Sequence, residues 1–101
     1  MPKIFEYLGI VLFFYSNEHY PIHVHARKGE FESKAEFRIE NGKVVEIVIS
    51  NIPGRDPLKD SDLKDFKLFL NKYANQVVSK WVDYFVYNKS VECEKITKKL
   101  K

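Results

Sequence analysis

The chain has 101 residues, 45% of them hydrophobic and 15% aromatic, which is enough apolar material for one small domain and too little length for several. The single cysteine, Cys93, cannot form an internal disulfide, and no signal-like or membrane-spanning run is present, so we expect a cytoplasmic protein without a membrane partner. Residues 1–88 carry 12 basic and 12 acidic side chains, so the net charge of +3 comes from residues 89–101, and a basic surface covering the whole fold is excluded.

The first half of the chain alternates as β-strands do. IFEYL (4–8) and IVLFFYS (10–16) flank Gly9, and the second is apolar on both faces, which predicts a strand in the middle of a sheet. ESKAEFRIE (32–40) and KVVEIVIS (43–50) follow, and Asn41-Gly42 between them predicts a two-residue hairpin turn. The apolar positions expected on one face of this hairpin are Ala35, Phe37, Ile39, Val45, Ile47 and Ile49.

After the break NIPGRDP (51–57) the apolar period becomes helical. Asp60 or Ser61 is the expected N-cap, and the pattern fits one long helix or two with a bend near Asn71. Trp81 should lie buried between helix and sheet. The residues of the helical stripe are Leu63, Phe66, Leu70, Tyr73, Val77, Trp81 and Tyr84.

These patterns predict a single α+β domain over residues 1–88, with an N-terminal antiparallel sheet of four to five strands and one long or two shorter C-terminal helices on one face. Residues 89–101 form a basic C-terminal tail, whose secondary structure the pattern leaves undecided. The tail is either a nucleic-acid contact or a solvated, partly disordered terminus. Cys93 is expected to be a small packing residue.

All three histidines lie in SNEHYPIHVHARKGE (16–30). If HVHARK (23–28) is a strand, His23, His25 and Arg27 point to one face, and a turn at Tyr20-Pro21, a candidate cis peptide, can bring His19 over them. Three imidazoles are a possible ligand set for zinc, which is the first interpretation.

The second interpretation is metal-independent acid–base catalysis, in which the imidazoles exchange protons with RNA and Arg27, Lys28 or Lys34 stabilises the phosphate. The protein would then be a small ribonuclease. In the third interpretation these side chains fasten the turn, a histidine pairs with Glu18, Glu30 or Glu32, and the function is an interaction surface.

The stretch MPKIFEYLGIVLFFYSNEHYPIHVHARKGEFESKAEF together with VSKWVDYF resembles the small bacterial family catalogued as domain of unknown function 4160, over about residues 1–85. The family pattern usually has consecutive prolines where this chain has Tyr20-Pro21-Ile22. The resemblance implies a small cytoplasmic protein encoded beside another small protein, in an arrangement similar to toxin–antitoxin pairs. The positions that match are Tyr15, Ser16, Asn17, Glu18, His19, His23 and His25.

We therefore expect a component of a bacterial toxin–antitoxin-like module that acts through a histidine-lined surface on RNA or on a co-encoded protein, without a cofactor or a metal. The alternatives are a non-catalytic interaction module and a metal-binding enzyme. The candidate catalytic residues are His19, His23, His25 and Arg27. The candidate binding residues are Tyr15, Ser16, Asn17, Glu18, Lys28 and Lys34.

Overall fold

The computed structural model describes residues 2–17 and 20–100. Its strands are β1 (Lys3–Tyr7), β2 (Ile10–Phe13), β3 (His23–Lys28), β4 (Phe31–Glu40), β5 (Lys43–Asn51) and β6 (Glu94–Ile96), and its helix is α1 (Asp60–Phe85). The strands form one sheet in the order β5-β4-β3-β2-β1-β6, antiparallel except for β6, which runs parallel to β1. The α+β prediction is confirmed, with one strand more in the described residues than the sequence suggested.

Two tight hairpins give the sheet its register. Asn41 and Gly42 join β4 to β5 with φ of 52° and 77°, which confirms the predicted turn, because a two-residue turn of this kind needs positive φ at both positions. Leu8 and Gly9 join β1 to β2 in the same way, with φ of 51° and 81°. Strand β2 lies inside the sheet between β1 and β3, as its two apolar faces predicted.

A β-bulge changes the expected phase of β5. Arg38 pairs with Glu46 and the next residue, Ile39, pairs with Val44, so β5 has one additional residue, Val45, at this point. The prediction that Val45 lies in phase with Ile47 and Ile49 is therefore wrong. Val44 takes the place next to the core, and the Val45 side chain is 47% exposed.

The helix is a single element of 26 residues and has no break at Asn71. Its N-cap is Lys59, which makes no side-chain capping bond, so the prediction of Asp60 or Ser61 as the cap is wrong; Asp60 instead lies in the first turn, where its charge favours the helix dipole. Trp81 is 1% exposed within the core, which confirms its predicted burial. No described helix is long and apolar enough to cross a membrane.

The tail folds back on the sheet. Strand β6 pairs with β1, and the Leu100 N–H donates to the Tyr7 hydroxyl at 2.8 Å. Lys80 on α1 donates to the carbonyl oxygen of Glu92 at 2.7 Å, which ties the helix to this segment. Cys93 lies just before β6, the strand at one edge of the sheet, and is exposed, so the prediction that it is a small packing residue is wrong.

The sheet has two different faces. One packs on α1 through an apolar core that includes Leu12, Val24, Ala35 and Phe37. Residues paired directly across strands point to the same face, so the register also identifies the opposite face. We call it the distal face, and its members on β2 to β5 are Val11, Phe13, His23, His25, Arg27, Glu32, Lys34, Glu36, Arg38, Glu46, Val48 and Ser50.

Candidate functional site

Strand β3 places His23, His25 and Arg27 together on the distal face, as the alternation predicted. The ring centroids of the two histidines lie 5.2 Å apart at an interplanar angle of 74°. Phe13 pairs with His25 across β2 and β3 and stacks on its ring at 5.6 Å, while the Arg27 guanidinium lies 5.3 Å from the Phe13 ring centre. The His25 imidazole is thus held by an aromatic side chain, and both histidine residues are almost closed to solvent, with His23 8% and His25 3% exposed.

Glu32 is the centre of the site. The residue is fully buried at the start of β4, and its carboxylate accepts a hydrogen bond from His25 Nδ1 at 3.2 Å. Because a carboxylate only accepts, Nδ1 carries the proton in this pair. The third interpretation named Glu32 as one possible partner of a histidine, and this hydrogen bond confirms that pairing. A buried carboxylate without such partners would strongly destabilise the fold.

Two further residues complete the shell of Glu32. The Tyr15 hydroxyl donates to Glu32 Oε2 at 3.2 Å, and Arg55 Nε lies 3.6 Å from Oε1. The Glu32 N–H donates to the carbonyl oxygen of Asp56 at 2.9 Å, so the loop before α1 is bound to the same residue. Residues from β3, from the segment after β2 and from the loop before α1 therefore converge on one carboxylate.

The environment of Tyr15 favours its neutral form. Burial raises the pKa of the Tyr15 hydroxyl, and the negative charge of Glu32 and its hydrogen bond raise it further, whereas Arg55 and Arg27 act in the opposite direction. The phenol therefore stays protonated through neutral pH and donates to the carboxylate. Its ring also packs edge-on against His25 at 4.5 Å, which holds the imidazole from a second side.

The other predicted residues divide into three groups. Lys34 lies on the distal face directly across from His25, and its Nζ is 3.8 Å from Glu36 Oε1. Lys28 points to the α1 side, where it pairs with Asp62 at 3.0 Å, so it is not part of the site. Ser16 and Asn17 are exposed, and the Ser16 hydroxyl is bonded to that of Tyr84 at 2.7 Å.

The segment before β3 is described only in part. The Tyr20-Pro21 peptide is cis, and His23 Nδ1 donates to the Pro21 carbonyl oxygen at 2.7 Å. Glu18 and His19, which the sequence placed in the site, lie outside the described residues. Within residues 2–17 and 20–100, no group of three His, Cys, Asp or Glu side chains is arranged to hold a metal ion, and the proposed three-histidine ligand set includes the undescribed His19.

Sequence reasoning missed the importance of two residues. The sequence identified Glu32 only as one of three possible histidine partners. Its alternation with Lys34 and Glu36 could have placed it on the face of β4 that lies beside His23 and His25. Arg55 was seen only as part of a turn-rich break, because a loop residue has no periodicity that predicts its direction.

The comparisons with known proteins give one match. A family model described as "Domain of unknown function (DUF4160)" matches residues 9–82. The matched region begins just before β2 and ends inside α1, so it contains every residue around Glu32 and leaves out β6. No curated protein and no solved structure matches the chain.

Proposed function

The chain belongs to the DUF4160 family, and we propose that it is one component of a toxin–antitoxin-like module whose distal face binds a small co-encoded protein. The gene arrangement implied by the family resemblance supports a protein partner. The charge pattern of the distal face is the observation on which this proposal depends.

Most charged side chains on the distal side of the sheet are paired with an opposite charge. An RNA-binding surface needs cations whose charge is available to phosphates, because phosphate neutralisation supplies most of its affinity. Here four cations have carboxylate partners, whereas Arg27 has none among the described residues and lies over the Phe13 ring. Such a mixed polar surface fits the rim of a protein interface. The pairs on this side of the sheet are Lys34–Glu36 at 3.8 Å, Arg38–Glu46 at 3.4 Å, Arg55–Glu32 at 3.6 Å and Lys95–Glu6 at 3.3 Å.

The burial of the histidines supports the same proposal. His23 and His25 are 8% and 3% exposed, and His25 is bonded to the carboxylate of Glu32, whose side chain is 1% exposed. Their function in this proposal is to hold the segment before β3 and the loop before α1 in fixed positions beside the exposed charge pairs. The buried network then supplies a rigid surface, which lowers the entropy cost of binding.

A charge swap tests the proposal. Lys34→Glu combined with Glu36→Lys keeps the ion pair within the chain but reverses the charge pattern presented to a partner. We expect affinity for the co-encoded protein, measured by titration calorimetry, to fall at least about tenfold, which corresponds to about 1.4 kcal/mol. The matched control is Lys72→Glu, an exposed charge reversal on α1, which should leave affinity unchanged. Equal binding by the wild type and the swap variant contradicts the proposal.

RNA cleavage is the second candidate, and one observation favours it. Two imidazole rings lie 5.2 Å apart, and a buried carboxylate orients one of them, which is the arrangement of a base and its orienting group. In this case cleavage should show a bell-shaped pH profile, and His23→Ala or His25→Ala should lower the rate by about 10²–10⁴-fold. Intact RNA after expression with and without the neighbouring gene excludes this candidate.

A further inference from the structure

The two edges of the sheet differ in their protection against pairing with another strand. Strand β6 has only three residues and carries the charged side chains Glu94 and Lys95. Short length and charge both hinder the pairing of an edge strand with another chain. Strand β5 has nine residues, contains no proline and is apolar at most of its central positions. Its outer row of backbone N–H and C=O groups faces no other strand of the described sheet. Such an edge can accept one more strand.

The regular part of this edge is short and presents at least one apolar side chain on each face. The bulge at Val45 interrupts the ladder, so the regular segment is residues 46–51. On the α1 side, Ile47 and Ile49 are half-buried and line a groove of about 440 Å³ between β5 and the helix. On the distal face, Val48 is 48% exposed. An added strand would cover these side chains as well as the open backbone groups.

We propose that β5 pairs antiparallel with β5 of a second copy of this chain, about a two-fold axis that passes through Val48. In this register Val48 faces its own counterpart, Ile47 faces the partner's Ile49, and Glu46 faces the partner's Ser50. Residues that face one another lie on the same side of the sheet in both copies, as antiparallel pairing requires. The two six-stranded sheets become one continuous sheet.

The side chains of β5 select this register over its neighbours. A register centred on Ile49 places Ile47 opposite the partner's Asn51, so an apolar side chain faces an amide. A register centred on Ile47 brings the bulged Val45 into the ladder. Only the register centred on Val48 keeps all five pairs within the regular segment and places apolar residues opposite apolar residues.

The end pairs of this register are complementary, which supports a second copy as the occupant. The register places the partner's Glu46 opposite Ser50, and a carboxylate accepts hydrogen bonds from a hydroxyl. It also avoids a like-charge pair, because Glu46 faces Ser50 and not another carboxylate.

The oligomeric state of the full chain tests the proposal. We expect sedimentation velocity to give a species of twice the 12.0 kDa chain mass, and Val48→Lys to convert it to a monomer because two ammonium groups would meet on the axis. The matched control is Val45→Lys, because Val45 is equally exposed at 47% but lies in the bulge. The control should remain dimeric. A wild-type chain that is monomeric up to about 1 mM overturns the proposal.

A disulfide cross-link tests the register itself. The natural Cys93 is exposed, so it is first removed by Cys93→Ser. In that background Val48→Cys should give a covalent dimer on mild oxidation, because residues opposed across an antiparallel pair have Cα atoms about 4.5–5.5 Å apart, within the range a disulfide spans. Val45→Cys should give little cross-linked product. A dimer that survives Val48→Lys, or that cross-links at residue 45 and not at residue 48, overturns the β5 pairing.

Discussion

Tyr15→Phe measures how much the hydrogen bond from the Tyr15 hydroxyl to the buried Glu32 carboxylate contributes to the free energy of unfolding. The change removes only the hydroxyl that donates to Glu32 at 3.2 Å and keeps the ring that packs on Phe13 and His25. A hydrogen bond to a charged group contributes about 1.5–3 kcal/mol to stability. This bond is long for an O–H donor and Tyr15 is only half-buried, so we expect a loss near the lower end, about 1.5 kcal/mol.

Urea unfolding followed by fluorescence is the appropriate assay, because Trp81 is the single tryptophan and is buried in the folded state. A loss of about 1.5 kcal/mol lowers the urea midpoint by about 1 M for a domain of this size. The matched control is Tyr84→Phe, which removes a hydroxyl bonded to the exposed Ser16 and should change stability by less than about 0.5 kcal/mol, because water replaces the bond.

Two further measurements test whether the loss of stability in Tyr15→Phe comes from the hydrogen bond to Glu32. They are the pH dependence of the loss and its size in a Glu32→Gln background. The pKa of Tyr15 is raised above 10.0 in the folded state, so its contribution is present below pH 10 and is lost as pH rises through the raised pKa. The difference between wild type and Tyr15→Phe should therefore shrink above pH 10. In a Glu32→Gln background the hydroxyl should contribute less, because its acceptor is neutral. A loss below about 0.5 kcal/mol, or the same loss with Glu32→Gln, refutes the role assigned to Glu32.

Three further outcomes follow from the fold and the site. Trp81→Ala should lower the free energy of unfolding in urea by about 3–5 kcal/mol. Trp81→Phe should lower it by less than about 1.5 kcal/mol, because the indole N–H that it removes has no hydrogen-bond partner among the described residues. Equal losses in the two variants would contradict this difference. Deleting residues 89–101 should lower the urea midpoint, because β6 and the partners of Lys80 are lost, and an unchanged midpoint would show that the tail adds no stability. The purified protein should contain no stoichiometric zinc by elemental analysis, and one equivalent that disappears in His23→Ala would assign a metal site instead.

Local patterns predicted those elements in which short-range physics and burial agree. Asn41-Gly42 predicted its turn because few residue pairs adopt positive φ at two successive positions without strain. The three-and-four spacing from Leu63 to Tyr84 predicted the buried face of α1, because one side of the helix must supply the core. The sequence also placed His23, His25 and Arg27 on one face of β3, because side chains in a strand alternate between its two faces with period two.

Sequence reasoning was wrong, or left the structure undecided, where one residue or one distant contact decides the outcome. Val45 left the core because the ladder contains a bulge, and an additional residue reverses the phase of everything before it in the strand. Tail residues 94–96 became a strand because the edge of β1 was available to pair with them. Neither the bulge nor the pairing of the tail can be read from the local sequence, because each depends on the hydrogen-bonding groups and the register of the neighbouring strand.

By itself the sequence determined the α+β class, the hairpin, the helix face and the strand that carries two of the histidines, because all of these depend on residues close together in the chain. Only the tertiary structure decided that Glu32 is the centre of the site. Its partners are Tyr15, His25 and Arg55, which are separated from it by 17, 7 and 23 positions and come from different elements. A buried carboxylate is stable only where several donors meet, and that meeting point is created when the sheet and the loop before α1 pack together.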